Sequence, residues 1–264
     1  MEQRMYRRTA RRRGILLAVV FILTCVFSFG LKGADGGIAG FAGSNARTVH
    51  QAKKVLREHP EYPAELTDML KNNPETAQFV LDYGTEAGKD HDTDISGELK
   101  SGQIPLFIQW DERWGYTVYG GAAFASTGCC PTALCMVYQG LTGKGDLTPY
   151  DMGLRAQEGG FVTEGGGTDA AFMAQQAPSL GLACTELYAN AENLRAALFA
   201  GQVVVANMAP GDFTATGHYI VATGLDAEGQ VVVNDPFSAE RSARTWPVET
   251  VAGQAIAFHA FALA

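Results

Sequence analysis

The spacing of hydrophobic residues changes near Gln202, and this change limits the folds that the sequence can adopt. Before that point, apolar residues recur at helical spacing in segments bounded by Gly, Pro or Asn. After it, β-branched and aromatic residues form short runs with a period near two. Helices are predicted at residues 48–58, 64–71, 75–83, 131–141, 149–158, 168–177 and 191–200. Strands are predicted at residues 202–208, 219–223, 230–233 and 255–262. A helix-rich half followed by an antiparallel sheet is an α+β fold.

The residues Asp226 to Gly229 are typical of a turn and are predicted to join the second and third strands as a hairpin. With the turn centred near Glu228, Val221 lies opposite Asp235. His218 is then three residues along the ladder, roughly 10 Å at about 3.3 Å per residue. Side-chain reach and a β-bulge would close that distance.

The N-terminus has the pattern of an export signal. Six arginines within residues 1–13 precede Gly14–Leu31, a run of 18 residues without a charge. Such a run just spans about 30 Å of hydrocarbon as a helix, and the arginines favour the cytoplasmic side. We expect residues 1–32 to form a single-pass signal anchor, with the rest of the chain outside the cell membrane. A cleaved signal peptide, with a site near Val26-Phe27-Ser28, is the alternative and would give a secreted protein.

The remaining chain divides by composition. Residues 33–103 are predicted to be a linker and a short helical spacer, and residues 104–264 the main domain. From Gly33 onward, 27 acidic residues face 13 basic ones, within a formal net charge of −8 for the whole chain. Because this excess of negative charge would repel the phosphate backbone of a nucleic acid, no nucleic acid partner is expected.

The four cysteines beyond Cys25 form neither a disulfide framework nor a metal motif. Three of them lie within seven residues of one another, no C-x-x-C is present, and the five histidines are scattered. We therefore expect no metal and no organic cofactor. These cysteines are Cys129, Cys130, Cys135 and Cys184.

Cys129 lies immediately before the helix that Pro131 opens. Unpaired N–H groups at a helix N-terminus stabilise a thiolate, and Gly128 would let a substrate carbonyl approach the backbone. His218 begins one predicted strand, and Asp235 ends the next. A thiol, an imidazole that accepts its proton and a carboxylate that orients the imidazole are the parts of a nucleophilic triad.

Four segments in this order resemble the papain-like cysteine peptidases, specifically the branch similar to the bacteriocin-processing (double-glycine leader) peptidases. They are residues 104–115, 128–132, 210–218 and 234–236. The resemblance implies a papain-like fold, in which a helix-rich half carrying the nucleophile packs on an antiparallel sheet carrying His and Asp. It implies that Cys129 is the nucleophile, His218 the base and Asp235 the residue that orients it. Gln109 matches the glutamine that completes the oxyanion hole.

The resemblance also implies the substrate class, namely a peptide or cell-surface protein, including cell-wall peptides. Trp110, Gly128 and Gly217 are predicted to contact the substrate, with packing as the alternative role for Trp110. In the family, the residue after the nucleophile is usually glycine, whereas this chain has Cys130. A vicinal Cys129–Cys130 pair is open to oxidation outside the cell.

Three functions remain open from the sequence. The first is hydrolysis of peptide bonds by an exported or membrane-anchored cysteine peptidase. The second is amide hydrolysis in peptidoglycan stem peptides, because related cysteine–histidine sites perform it. The third is peptide binding without turnover, which the Cys130 departure motivates.

Overall fold

The computed structural model describes residues 46–264. The arginine block, the predicted membrane span at Gly14–Leu31 and the first part of the predicted linker lie outside these residues. Within residues 46–264, none of the helices has both the length and the apolar character needed to cross a membrane.

The described residues form ten α-helices and eight strands, together with three short 3₁₀ turns. The helices are α1 (Ala46–Glu58), α2 (Ala64–Asn72), α3 (Ala77–Glu86), α4 (Phe124–Thr127), α5 (Cys129–Thr142), α6 (Pro149–Glu158), α7 (Ala171–Gln176), α8 (Ala191–Phe199), α9 (Ala239–Ser242) and α10 (Val248–Gln254). The strands are β1 (Val118–Tyr119), β2 (Ala122–Ala123), β3 (Leu182–Tyr188), β4 (Val203–Met208), β5 (His218–Leu225), β6 (Val231–Asn234), β7 (Thr245–Trp246) and β8 (Ala255–Leu263). The predicted α+β fold is confirmed.

The main sheet has six antiparallel strands in the order β3-β8-β4-β5-β6-β7. Successive side chains of each strand point to opposite faces of the sheet. Helices cover both of these faces. Val205 and Val221 belong to the apolar cluster that contains α5, whereas Val204 and Ile220 belong to the cluster that contains α8 and α10. The long central strands are therefore buried on both sides.

Three features of the sheet differ from the sequence predictions. The edge strand β3 was not predicted, since Leu182–Tyr188 has only one β-branched residue and gains its strand conformation by pairing with β8. The edge strand β7 was not predicted either, because Thr245–Trp246 is only two residues long and pairs with β6. The third difference is the register of the β5–β6 hairpin.

A register shift between Ala222 and Gly224 moves the hairpin by one residue. Next to the turn, Leu225 pairs with Val231, which is the predicted register, but beyond the shift Val221 pairs with Asn234 rather than Asp235. Continuing that register places Asp235 opposite Ile220, two residues from His218. His218 begins β5 and Asp235 follows the last residue of β6, so both residues lie at the same end of this hairpin.

The helices α1 to α3 pack against the body instead of standing apart from it. Their buried residues share one apolar cluster with Ile108, Trp110, Tyr116 and residues of the 122–125 segment. The polar stretch that follows α3 is bound to the main domain by Arg113. This residue donates to the carbonyl of Asp94 and pairs with Glu98. Residues of 46–103 thus contribute to the folded core.

His259 on β8 gives a testable pH dependence of stability. It is buried, and its Nδ1 has no hydrogen-bond partner among the described residues. Burial lowers the pKa of His259, although Glu186 on the neighbouring strand opposes this. As the pH falls below about 6.5, the unfolded chain takes up a proton that the folded chain resists, so stability is lost.

We expect His259→Leu to lose less stability than the wild type between pH 7.5 and 5.5, because leucine binds no proton in either state. The urea midpoint at the two pH values measures this. Equal losses in the two proteins would contradict the assignment.

Candidate active site

Cys129 is the first residue of α5. The short helix α4 and Gly128 lead into it, and the N–H of Thr132 donates to the carbonyl of Gly128, which closes the first turn. Pro131 lies in that turn, where its missing N–H has no intrahelical partner to lose. The thiol of Cys129 is partly exposed and free. It therefore lies at the positive end of the helix dipole and is accessible to a reactant.

His218 begins β5, and its Nε2 lies 2.7 Å from Oδ1 of Asp235, the residue just after β6. An ionised carboxylate only accepts hydrogen bonds, so Nε2 carries the hydrogen. The Cys129 thiol is close enough to the imidazole to contribute to a raised pKa of His218. Since Nε2 is used by Asp235, Nδ1 is the nitrogen available to the thiol. The structure therefore places His218 in direct contact with Asp235 and close to Cys129.

The charges at this site support one another. Burial of His218 disfavours its charged form, but Asp235 and Cys129 outweigh burial and raise the pKa of His218 to about 9. Burial likewise opposes ionisation of Asp235, yet His218 and Arg241 hold the pKa of its carboxyl below the ordinary value. At neutral pH the arrangement favours an imidazolium beside an ionised carboxylate.

Arg241 was not identified from the sequence, although it contacts Asp235 directly. Its Nε donates to Oδ2 of Asp235 at 2.6 Å, and the N–H of Phe237 donates to Oδ1 at 2.7 Å. The N–H of Asp235 itself donates to the hydroxyl of Ser242 at 2.8 Å. Arg241 and Ser242 belong to the four-residue helix α9, which is too short to give a periodic signal in the sequence.

Gln109 lies between the two halves of the site. Its Nε2 donates to the carbonyl of Ala125 at 2.8 Å, and its backbone N–H donates to the carbonyl of Pro236 at 2.7 Å. Ala125 is in α4, four residues before Cys129, and Pro236 directly follows Asp235. The second hydrogen of the amide is not needed for the bond to Ala125.

Cys130 points into the core. It is fully buried, and burial raises the pKa of its thiol, with Cys129 adding to this effect and a hydrogen bond with Thr168 opposing it. The hydroxyls of Tyr119 and Thr168 are 2.6 Å apart, so the thiol lies in a small buried polar cluster. Cys129 and Cys130 are both free. A side chain at this position is therefore accommodated beneath the site.

The three predicted substrate-contacting residues have different surroundings. Trp110 is only 6% exposed, and its indole N–H donates to the carbonyl of Phe237 at 2.9 Å, so packing accounts for its position. A Cβ on Gly217 would have only the carbonyl of Met208 nearby, at 3.9 Å. A Cβ on Gly128 would overlap the buried ring of Phe124.

Gly128→Ala is expected to reduce stability by about 1–3 kcal/mol, because the new methyl group would displace a ring that is packed on all sides. Urea unfolding measures the change. Gly217→Ala is the matched control and should change stability by less than about 1 kcal/mol, since its surroundings are open. Similar values for the two variants would show that Phe124 moves aside freely.

Metal ligands are not clustered in the described part of the chain. No group of three or more His, Cys, Asp or Glu side chains in residues 46–264 is arranged to hold an ion.

Comparisons with known proteins give a family. No curated protein matches the chain. Among solved structures, it is similar to the peptidase domain of Streptococcus ComA, a bifunctional ABC transporter involved in a quorum-sensing pathway. That match has 18% sequence identity and a TM-score of 0.40, and covers 61% of this chain and all of the other. Residues 102–260, more than half of the chain, match the Peptidase_C39 like family, and the chain therefore belongs to that family.

Proposed function

We propose that this chain is a cysteine peptidase that uses Cys129, His218 and Asp235 as its catalytic triad. The observation that carries the proposal is the position of the His218 imidazole, whose Nε2 lies 2.7 Å from the carboxylate of Asp235 and whose pKa the nearby Cys129 thiol helps to raise. A thiol at a helix N-terminus with an imidazole and a buried carboxylate is the arrangement that activates a cysteine nucleophile.

In the proposed reaction, the thiolate of Cys129 attacks the carbonyl carbon of a peptide bond. The backbone N–H of Cys129 and the free hydrogen of the Gln109 amide stabilise the negative charge that develops on the carbonyl oxygen. His218 gives its proton to the leaving amine, and the acyl group remains on sulfur as a thioester. His218 then takes a proton from water, the hydroxide adds to the thioester, and the intermediate collapses to release the carboxylic acid and restore the Cys129 thiolate beside the His218 imidazolium.

The proposal also covers the location of the reaction and its substrates. Residues 1–32 would anchor the chain in the cell membrane with the peptidase domain outside, or be cleaved to release it, because an arginine block precedes the uncharged run. Substrates would then be peptides or proteins at the cell surface, held near Gly128 and Gly217. The chemistry requires no metal or organic cofactor.

The test is labelling of the full-length chain with a peptide that carries a chloromethyl ketone, followed by mass mapping of the modified cysteine. Wild type is compared with Cys129→Ala and His218→Ala. Cys184 is an internal control, because it is also partly exposed while burial raises the pKa of its thiol to about 11. We expect fast labelling at Cys129 alone, slowed about 100-fold or more by His218→Ala. Slow labelling at the same rate in the wild type and in His218→Ala would overturn the proposal and favour a peptide-binding module.

A further inference from the structure

The segment between α2 and α3 reaches the loop that follows Asp235. Asn73 is the C-cap residue that follows α2, and its amide donates to the carbonyl of Phe237 at 2.5 Å. The same carbonyl accepts the Trp110 indole. The contact joins residues 164 positions apart in the chain.

The Glu75 carboxylate accepts hydrogen bonds from three groups in the segment that follows Asp235. One carboxylate oxygen accepts the hydroxyl of Ser238, and the other accepts the N–H groups of Ala239 at 3.0 Å and Glu240 at 3.2 Å. These are the first two residues of α9. Glu75 is largely buried and Ser238 almost fully so, and the Ser238 hydroxyl therefore has little access to water as a substitute partner.

The helix that Glu75 holds is the one that holds Asp235. Arg241 of α9 donates to Oδ2 of Asp235, and Ser242 of α9 accepts the N–H of Asp235. Oδ1 of the same carboxylate accepts the His218 imidazole. An unbroken series of hydrogen bonds therefore runs from Glu75 through α9 and Asp235 to His218.

We propose that Glu75 is a positioning residue for the triad, acting through α9 on the orientation of Asp235; this rests on the proposed peptidase function. Losing the carboxylate leaves a hydroxyl and two helix N–H groups without their acceptor, so α9 shifts and its two bonds to Asp235 loosen. His218 then loses part of the support for its charged form. Glu75 lies before residues 102–260, which match the family, so the proposed positioning residue comes from outside the matched region.

The test is the rate at which iodoacetamide alkylates Cys129 in the full-length chain between pH 5 and 9. Glu75→Ala and Glu75→Gln are compared with wild type and with Asp68→Asn, which removes an exposed carboxylate from neighbouring α2. We expect Glu75→Ala to slow alkylation at pH 6 about 10- to 100-fold and to move the half-maximal rate to higher pH. Glu75→Gln should show a smaller change in the same direction, because its amide oxygen still accepts one bond.

The outcomes separate this inference from the proposed function. If wild-type Cys129 shows the profile of an ordinary thiol, both are overturned. If the wild type is activated and both Glu75 variants keep its profile, the positioning role alone is overturned. Near-UV circular dichroism checks that each variant is folded, and Glu75→Gln provides the decision if Glu75→Ala does not fold. A loss of stability without a shift of the pH profile would also contradict the positioning role.

Discussion

Replacing Asp235 with alanine is expected to slow peptide hydrolysis and Cys129 labelling by about 100-fold or more at neutral pH. Asp235 is fully buried, and its carboxylate is a main reason that the pKa of His218 reaches about 9. Without it, burial dominates, the imidazolium is disfavoured and the imidazole is no longer held toward the thiol. Fewer molecules then carry the thiolate–imidazolium pair that reacts.

The same variant leaves Arg241 without its counter-ion. The Arg241 side chain is 17% exposed, so most of this charge is removed from water, and we expect Asp235→Ala to lose about 3 kcal/mol of stability. Asp235→Ala combined with Arg241→Met removes the unpaired charge. That double variant should recover stability but not reactivity, which separates the two roles of the carboxylate.

Asp235→Asn tests charge separately from orientation. The amide oxygen still accepts the imidazole hydrogen, but the negative charge is gone, so the pKa of His218 should fall. In the wild type, the acid form of His218 is lost as the pH rises through about 9. In Asp235→Asn the alkaline limb of hydrolysis should therefore lie at lower pH.

Stopped-flow labelling and urea unfolding of the three variants measure these effects. Glu228→Gln is the control, because it changes an exposed carboxylate at the turn of the same hairpin. Wild-type reactivity in folded Asp235→Ala would show that His218 does not depend on this carboxylate.

The sequence predicts much of the sheet, because each strand of the β5–β6 hairpin carries its own local signal. Period-two runs mark both strands, and Asp226 accepts the N–H groups of Glu228 and Gln230, which fixes the turn. The predicted register holds beside the turn. The shift around Thr223 was not predictable, since a bulge depends on how β5 pairs with both of its neighbours.

The residues of the candidate site also divide into those that the sequence identifies and those that it does not. Cys129, His218 and Asp235 each adjoin a recognisable helix start or strand end, so the sequence identifies them as candidates. Arg241 and Glu75 do not. Nothing in the local pattern Asn73-Pro74-Glu75 distinguishes an acidic first-turn residue from one that reaches a loop more than 160 residues away. Such contacts arise from the packing of separate elements, which only the folded chain shows.

Trp114→Ala is expected to cost the largest amount of stability, about 3–5 kcal/mol. The Trp114 ring is fully buried, stands edge-on to Phe107 with ring centres 6.0 Å apart, and donates its indole N–H to the carbonyl of Ile108 at 2.9 Å. Alanine would leave a large cavity and remove one of the two hydrogen bonds to the Ile108 carbonyl, which also accepts the N–H of Asp111 at 3.1 Å. Trp114→Phe refills most of the volume but not the indole hydrogen bond, so about 0.5–1.5 kcal/mol should remain lost.

The matched control for this truncation is Phe199→Ala, an aromatic residue that is 80% exposed at the end of α8. It should change stability by no more than about 0.5 kcal/mol, since its ring loses little contact. Urea unfolding at constant pH gives all three values. Because Ile108 precedes Gln109, Trp114→Phe should also slow hydrolysis more than it slows alkylation of Cys129, as alkylation forms no oxyanion. Equal effects on the two rates would mean that the carbonyl of Ile108 does not help to position Gln109.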